Sequence, residues 1–299
     1  MARWCSSNKT DKNDMKAKPF PDAIAQVLRD QQITETEPGS ILHDFGVFLD
    51  FVAANHPVAS PKNHLLPQAC LAMLNERLAK PIEVRLKKAV QKSYPHLNGL
   101  YLLARASGLM RVLKRGKEAT LVLDNAAMDS WAGLNDTERY FTLIEAWFRR
   151  ASMQMLGESR GGWGSGMLNY CFNLWHRISE KGWKFGKSDH TYLMYWAHNI
   201  ALMEMFGLVR IKRGKPQKEK GWMIDRIDAT EFGGALMSLV AGHHSVANLA
   251  DEWEREDEEK ETGAVTFDWY RELLQPYFPE LQNSLTLPSN REFRPNTLT

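Results

Sequence analysis

Two short segments of the chain resemble each other and begin 99 residues apart. Residues 108–116 read GLMRVLKRG and residues 207–214 read GLVRIKRG, so the second copy lacks one residue. In both, a glycine ends an apolar run with helical spacing, and residues typical of a strand follow. The match favours an internal duplication of a small domain. The alternative is two unrelated helix–hairpin junctions, because so short a string can recur by chance.

The predicted elements have the same order in both halves. In the first half, helical runs precede two β-prone runs, at residues 41–52, 65–78, 95–106, 109–115 and 119–123. In the second half, the corresponding residues are 136–148, 168–178, 192–206, 208–214 and 221–227. Helices followed by a hairpin are typical of a winged-helix unit, in which the hairpin is the wing. The sequence therefore predicts a mainly α protein with tandem winged-helix-like units at residues 40–133 and 134–246.

The two ends of the chain are predicted to be less regular. Residues 1–39 form a polar, flexible arm with one short helix at residues 22–30. Residues 247–299 begin with an acidic segment and end in an extended tail that contains prolines. Between these parts, the leucine and aromatic side chains of residues 266–281 predict a helix that docks on the rest of the protein. The expected fold thus has a C-terminal helical tail.

The composition is that of a folded protein in a reducing compartment. Hydrophobic residues make up 43% of the chain and charged residues 25%, with a formal net charge of +2. The cysteines, Cys5, Cys70 and Cys171, include no C-x-x-C pair, which indicates free thiols. The sequence has neither a secretory signal nor an apolar run of the roughly 18 residues that span a membrane. We therefore expect a cytoplasmic protein without a membrane partner; its oligomeric state stays open.

Several strings together resemble a known bacterial family. They lie at residues 44–52, 66–75, 108–109, 134–147, 275–282 and 292–295. They are similar to the helical region of some proteins of the Ri-plasmid open-reading-frame-three-like family, which are often labelled transposon-passenger proteins. A β-rich domain defines that family, and this chain stops near where that domain is expected to begin. The resemblance implies a helical module and a mobile-element or plasmid context, and it implies no catalytic residues.

No motif for catalysis, metal binding or nucleotide binding stands out. The adjacent His243 and His244 do not face each other on a helix, and no His-Glu-x-x-His motif is present. The glycine-rich residues 161–166 match neither a P-loop nor a dinucleotide-binding fingerprint. Carboxylates beside the hairpins, such as Asp124 and Asp228, are explained as turn residues and helix caps. We therefore expect a non-enzymatic protein without metal or cofactor; a nuclease is the alternative.

Positive charge is concentrated near the two predicted hairpins. Residues 77–118 contain eleven lysines and arginines and two acids, whereas residues 251–261 contain eight acids and two bases. Basic side chains on a hairpin can contact phosphates with an affinity that depends on salt and tolerates any sequence. The candidate nucleic-acid-binding residues are Lys87, Lys88, Arg111, Lys114, Arg115, Lys117, Arg210, Lys212, Arg213, Lys215, Lys218 and Lys220.

The helices before the hairpins argue against base recognition. A helix that reads a DNA groove needs polar or basic side chains. The polar side chains available are few: His96, Asn98 and Arg105 in the first helix, and His198, Asn199 and Glu204 in the second. One hypothesis is a non-enzymatic DNA-associated protein of a mobile-element, plasmid or defence locus. The other is a protein–protein interaction scaffold that uses its acidic segment. A continuous basic face would favour the first, and bases neutralised by local acids the second.

Overall fold

Helices dominate the structure, and the strands form small antiparallel sheets. The computed structural model describes residues 21–158, 167–178, 181–186, 189–246, 265–266 and 271–287. About 52% of the described residues are helical and about 13% are in strands, so the predicted predominance of helix is confirmed. Four predicted features lie wholly or partly outside the described residues: the arm at 1–20, the glycine-rich loop at 161–166, the acidic segment at 251–261 and the extended tail at 288–299.

The first half contains helices, a two-stranded hairpin and a further helix. Its elements are α1 (Asp22–Asp30), α2 (Ile41–Asn55), α3 (Gln68–Glu76), a 3₁₀ turn (Gln91–Ser93), α4 (Pro95–Ala106), β1 (Met110–Arg115), β2 (Glu118–Leu123) and α5 (Asn125–Ala132). Helix α2 buries Phe45, Phe48 and Val52, the face that their spacing predicted. Helix α3 is shorter than predicted. Pro67 before it is extended, and proline lacks the N–H that a helix interior needs.

The second half repeats this order. Its elements are α6 (Asp136–Glu145), a π-helical turn (Ala146–Arg150), a 3₁₀ turn (Met153–Leu156), α7 (Met167–Ile178), β3 (Trp183–Lys184), α8 (Asp189–Met205), β4 (Val209–Arg213), β5 (Ile224–Ala229) and α9 (Glu231–Val246). Asn135 begins α6 with a capping box: the side chains of Asn135 and Glu138 each accept the other's backbone N–H at 2.9 Å. Helices, a hairpin and a following helix therefore occur once in each half.

The two helix–hairpin junctions match in backbone detail. Gly108 and Gly207 end α4 and α8 with φ of 75° and 71°, a left-handed conformation that suits glycine. The carbonyl of the leucine after each glycine accepts a backbone N–H from the residue before the next helix, Asp124 at 2.9 Å or Thr230 at 3.0 Å. The side chains of Asp124 and Thr230 in turn cap α5 and α9. The expectation that both glycines end a helix and precede a hairpin is confirmed.

Each hairpin has a third antiparallel partner, on its second strand. Strand β1 pairs with β2, and Val58 forms an isolated bridge to Thr120 of β2. Strand β4 pairs with β5, and β3 pairs with the other edge of β5. The hairpin loops differ in length: residues 116–117 join β1 to β2, whereas residues 214–223 join β4 to β5. The second hairpin therefore presents a much longer loop.

Helices α4 and α8 pack against each other in opposite directions. A Cβ added at Gly99 of α4 would lie 2.8 Å from the Leu202 side chain, so the glycine permits a close approach. His96, earlier on α4, contacts Glu204, later on α8. The hairpins therefore leave the helix pair at opposite ends. His96, beside the second junction, precedes Gly108 by 12 residues, which corresponds to about 18 Å along a helix.

One hydrophobic core joins the two halves. Trp147 of the π-helical turn stacks on Phe206 at the end of α8, with ring centroids 5.4 Å apart. The buried Tyr140 hydroxyl of α6 donates to the Phe206 carbonyl at 2.6 Å. The helices of the second half thereby hold the second junction in place.

The predicted C-terminal helix is wrong over most of its length. In the part that the structure describes, helix α10 spans only Arg271–Leu274. Pro276 and Pro279 follow, and proline lacks the backbone N–H of a helix interior and disfavours helix in the preceding residue. The chain continues without regular structure to β7 (Thr286–Leu287), which pairs with β6 (Val265–Thr266).

The C-terminal segment nevertheless docks on the protein, as expected. Phe278 packs against Phe141 of α6 with ring centroids 4.7 Å apart. The Glu138 carboxylate accepts the backbone N–H of Gln282 at 3.0 Å and also that of Asn283. The glutamate that completes the α6 capping box therefore also holds the end of the described chain.

Candidate nucleic-acid interface

The candidate basic side chains lie almost entirely on the surface. Eleven of the twelve are exposed, and Arg213 is half-buried. The exposed ones are Lys87, Lys88, Arg111, Lys114, Arg115, Lys117, Arg210, Lys212, Lys215, Lys218 and Lys220. This exposure leaves their charged groups accessible to a phosphate.

Two basic segments that are far apart in sequence lie side by side. Between α3 and α4, the Arg85 N–H donates to the Lys220 carbonyl at 3.3 Å, and the Glu219 N–H donates to the Arg85 carbonyl at 3.1 Å. Lys87 Nζ lies 3.5 Å from a Glu219 carboxylate oxygen. We name this region the composite basic surface. Its exposed cations are Arg85, Lys87, Lys88, Lys215, Lys218 and Lys220.

A buried carboxylate lies next to this surface. The Glu204 side chain, near the end of α8, is 3% exposed. It pairs with His96 Nε2 at 3.1 Å and lies 3.4 Å from Lys80 Nζ and 3.9 Å from Arg213 Nη2. Burial alone would raise the pKa of Glu204, but the His96 hydrogen bond and the positive charges of these neighbours lower it below its ordinary value. The carboxylate is therefore an ionised centre that joins three segments of the chain.

The Arg213 guanidinium is bonded inside the protein. It donates to the Pro81 carbonyl at 2.6 Å and to the Lys80 carbonyl at 2.9 Å, and it faces Glu204. These bonds hold the second hairpin against the segment that carries Arg85 and Lys87. The sequence predicted Arg213 as a phosphate contact on the same footing as its neighbours. In the structure, both terminal nitrogens of its guanidinium already donate to backbone carbonyls of the protein.

Polar residues that the sequence considered for groove reading are buried between helices. The side-chain amide oxygen of Asn199 accepts the Trp147 indole N–H at 2.9 Å. Burial, together with the charge of Lys92, lowers the pKa of His198 to about 3. His96 is buried against Trp222, with ring centroids 5.1 Å apart. The available signal was their position within apolar helical runs, which favours buried polar contacts over exposed ones.

The first hairpin carries a separate basic group. Lys114, Arg115 and Lys117 are exposed, and Arg111 Nε lies 3.5 Å from a carboxylate oxygen of the buried Asp124. Because the two hairpins leave opposite ends of the α4–α8 pair, this group lies apart from the second junction. The structure thus divides the predicted residues between two places and joins Lys87 and Lys88 to the second.

Sequence reasoning also missed a contact set behind the first hairpin. Arg105 Nη1 donates to the Tyr101 hydroxyl at 3.0 Å, and that hydroxyl donates to the His64 carbonyl at 2.6 Å. Burial, then the charges of Lys114 and Arg105, lower the pKa of His64. No sequence motif links these residues, because His64 reaches α4 through its backbone carbonyl.

Other reactive groups in the described part of the chain have structural environments. No three His, Cys, Asp or Glu side chains there come together in a way that could hold a metal ion. Burial raises the pKa of Cys70 to about 11, which disfavours a reactive thiolate. Asp124 caps α5, as predicted, whereas Asp228 lies within β5 and binds Arg226 at 2.7 Å, so it is neither the turn residue nor the helix cap that was predicted. None of the described helices is long and apolar enough to cross a membrane.

Comparison with known proteins identifies no relative of this chain. Family models, curated proteins and solved structures were compared, and none matches.

Proposed function

We propose that this protein binds the phosphate backbone of DNA through its basic hairpins and is not an enzyme. The observation that carries the proposal is the composite basic surface. Backbone hydrogen bonds between Arg85 and residues 219–220 bring together exposed cations from both halves of the sequence. Such a surface releases counterions when it binds a polyanion, so its affinity should fall steeply with salt.

Tandem winged-helix-like units are the proposed architecture behind these surfaces. Its support is the repeated order of helices, hairpin and following helix, together with the matched junctions at Gly108 and Gly207. A third antiparallel partner on the second strand of each hairpin, β2 or β5, adds to that support. In this architecture the two hairpins are the wings.

The proposed contacts are with phosphates rather than with bases. Recognition by a helix needs that helix to lie in the major groove. Every residue of α4 except Arg105 is buried, and residues 198–205 of α8 are buried too. Neither helix offers a free face along these residues, so the exposed hairpins and loops remain for contact. Phosphate contacts position a protein on DNA but carry no sequence information.

The proposed biological setting is a mobile-element, plasmid or defence locus in a bacterial cytoplasm. Its only support is the resemblance of residues 40–299 to the helical region of the Ri-plasmid open-reading-frame-three-like family. A protein that binds DNA without sequence preference suits such a setting, because its DNA substrate changes whenever the element moves.

A protein–protein scaffold is the second candidate function. Three pairings favour it: Arg85 with Glu83, Lys87 with Glu219 and Arg111 with Asp124, which neutralise part of the basic surfaces locally. Exposed apolar side chains also favour it, because Val90 is 53% exposed next to the composite basic surface and Val58 is 51% exposed beside the first hairpin. A partner protein with an acidic rim around an apolar patch would fit these features.

A gel mobility shift with a salt series distinguishes the two candidates. The test variant replaces Lys215, Lys218 and Lys220 by Glu. We expect wild-type protein to retard unrelated duplexes at low salt, and the variant to lower the slope of log K against log salt by about three. The matched control replaces three exposed lysines elsewhere by Glu, namely Lys62, Lys181 and Lys184.

The control carries the same change in net charge and should keep more of the wild-type slope than the test variant. Absence of retardation at low salt would reject the DNA proposal and leave the scaffold. Equal losses in the two triple variants would show that net charge, and not the composite basic surface, determines binding.

A further inference from the structure

Three basic residues lie near one another at the first helix–hairpin junction. His64 lies between α2 and α3, Arg105 in the last turn of α4, and Lys114 on β1. The Tyr101 hydroxyl links two of them, since it accepts from Arg105 Nη1 at 3.0 Å and donates to the His64 carbonyl at 2.6 Å. In the hairpin register Lys114 lies opposite Ala119, and the Ala119 carbonyl accepts the backbone N–H of Ala59 at 2.7 Å, so β2 lies between Lys114 and the segment that leads to His64. Of the three, the sequence indicated only Lys114 as a phosphate contact.

No described carboxylate balances this charge. In the part of the chain that the structure covers, Arg105 and Lys114 form no ion pair, and the Arg105 guanidinium donates only to the Tyr101 hydroxyl. His64 and Arg105 are half-buried and Lys114 is exposed, so the cluster is open to solvent. Like charges held together raise the free energy of the folded state, and an anion bound among them would offset that cost.

At the second junction, the corresponding positive charge is neutralised by a carboxylate. Arg105 precedes its junction glycine by three residues, and Glu204 precedes Gly207 by the same number. Lys114 follows its glycine by six residues, as Arg213 follows Gly207. At the second junction this pair is a carboxylate and a guanidinium 3.9 Å apart. At the first junction, both members are cations.

We propose that His64, Arg105 and Lys114 form a binding site for one phosphate group. A guanidinium can donate two parallel hydrogen bonds to a phosphate, an ammonium adds a point charge, and an imidazole adds a further donor. The proposal rests on the proposed function for the source of that phosphate, a DNA backbone. Inorganic phosphate has the same chemistry and serves as a probe of the site alone.

Phosphate binding at this site takes up a proton. The charged groups that act on His64 are Lys114 of β1 and Arg105 of α4, and with burial they keep its pKa below the ordinary value. A bound phosphate supplies the opposite charge and raises that pKa again. The affinity of the site therefore increases as the pH falls, because protonated His64 donates to the phosphate and adds a positive charge.

NMR titration of the histidine side chains with inorganic phosphate tests the site. We expect a saturable rise of about one unit in the pKa of His64, and no saturable change in the NMR chemical shifts of the exposed His56 when phosphate is added. In the Lys114→Gln variant, the pKa of His64 without phosphate should move toward 6.5, and the phosphate response should fall by half or more. The Lys184→Gln variant, which changes an exposed lysine outside the candidate binding residues, should respond like wild type.

A His64 response no larger than that of His56 overturns the proposal, whatever the protein does with DNA. A second titration, with a short duplex, identifies the source of the phosphate. A rise in the pKa of His64 with both ligands supports a backbone phosphate at the site. A rise with inorganic phosphate only, for a duplex that the protein does retard in a gel, overturns the backbone assignment and leaves the proposed function intact. If no duplex is retarded, the proposed function fails separately.

Discussion

The two helix–hairpin junctions share a backbone and differ in charge. Each ends a helix at a left-handed glycine and ties the following leucine to the residue that begins the next helix, Asp124 or Thr230. At the second junction, Glu204 is surrounded by Lys80, His96 and Arg213, so its ionic groups are bonded to each other. At the first, Arg111 faces the buried Asp124, but the described contacts leave Arg105 and Lys114 without a carboxylate.

The two junctions therefore have the same backbone conformation but different roles. A hairpin is held against its neighbours when its basic residue faces a buried carboxylate, as Arg213 faces Glu204 and donates to the carbonyls of Lys80 and Pro81. Where the basic residues beside a hairpin have no counter-charge, as with Arg105 and Lys114, their charge is open to a ligand. The second junction therefore positions a surface, while the first offers a site.

The largest effect is expected from a Cβ at the second junction. An alanine at Gly207 would have φ of about 71°, and its Cβ would lie 2.3 Å from the Pro38 carbonyl oxygen. Gly207→Ala should lower the free energy of unfolding by about 4 kcal/mol, from left-handed strain and backbone overlap together. Gly116→Ala is the control, since its φ is 61° and nothing lies within 4 Å of its Cβ. It should cost about 1 kcal/mol.

Urea denaturation followed by circular dichroism measures both variants. Equal losses for Gly207→Ala and Gly116→Ala would contradict the close approach of Pro38 to the second junction.

Lowering the pH should destabilise the protein, because His198 of α8 is buried in its neutral form. His198 has a folded pKa of about 3, lowered by burial, against an unfolded value of 6.5. The unfolded state therefore binds a proton first, and this contribution to stability is present above pH 6.5 and lost as the pH falls toward 3. The loss from this group is about 3 kcal/mol between pH 7 and pH 4.

The variant His198→Gln isolates the contribution of His198 to the pH dependence of stability. Its free energy of unfolding should depend less steeply on pH than that of wild type, by the same amount over the same interval. Parallel pH profiles for the two proteins would show that His198 is not buried in its neutral form.

Loss of the second junction's carboxylate should have a smaller effect. Glu204→Gln keeps the shape but removes the charge that Lys80, His96 and Arg213 face. We expect the free energy of unfolding to fall by about 2 kcal/mol, because a buried charged partner is lost. Glu219→Gln removes the exposed partner of Lys87 and should change it by less than about 0.5 kcal/mol. Similar values for the two variants in urea denaturation would mean that Glu204 is not a buried anchor.

Local features of this fold could be predicted from the sequence, and long-range pairings could not. Helical spacing and two glycines predicted the junctions, since both signals act within a few residues. The contact of His96 with Glu204 and that of Arg85 with Lys220 join residues more than 100 positions apart. Neither leaves a local pattern.

The failures of sequence reasoning have physical causes. The C-terminal helix was expected from its leucines and aromatics, but Pro276 and Pro279 end it after one turn. Arg213 was expected to face solvent because its neighbours are basic, but the Pro81 carbonyl and Glu204 lie within its reach. His64 was not considered, because its link to Arg105 depends on a backbone carbonyl and on Tyr101.

The contrast between the junctions is tested most directly by neutralising one hairpin cation at each junction and measuring DNA affinity against salt. Lys114→Gln removes a charge that the described contacts leave open, whereas Arg213→Gln removes one that faces Glu204. Circular dichroism should first show that both variants are folded. Lys114→Gln should then lower the slope of log K against log salt by about one, the effect of a lost phosphate contact. Arg213→Gln should leave the slope at its wild-type value. Equal changes in the two slopes, or a change for Arg213→Gln alone, would contradict the account.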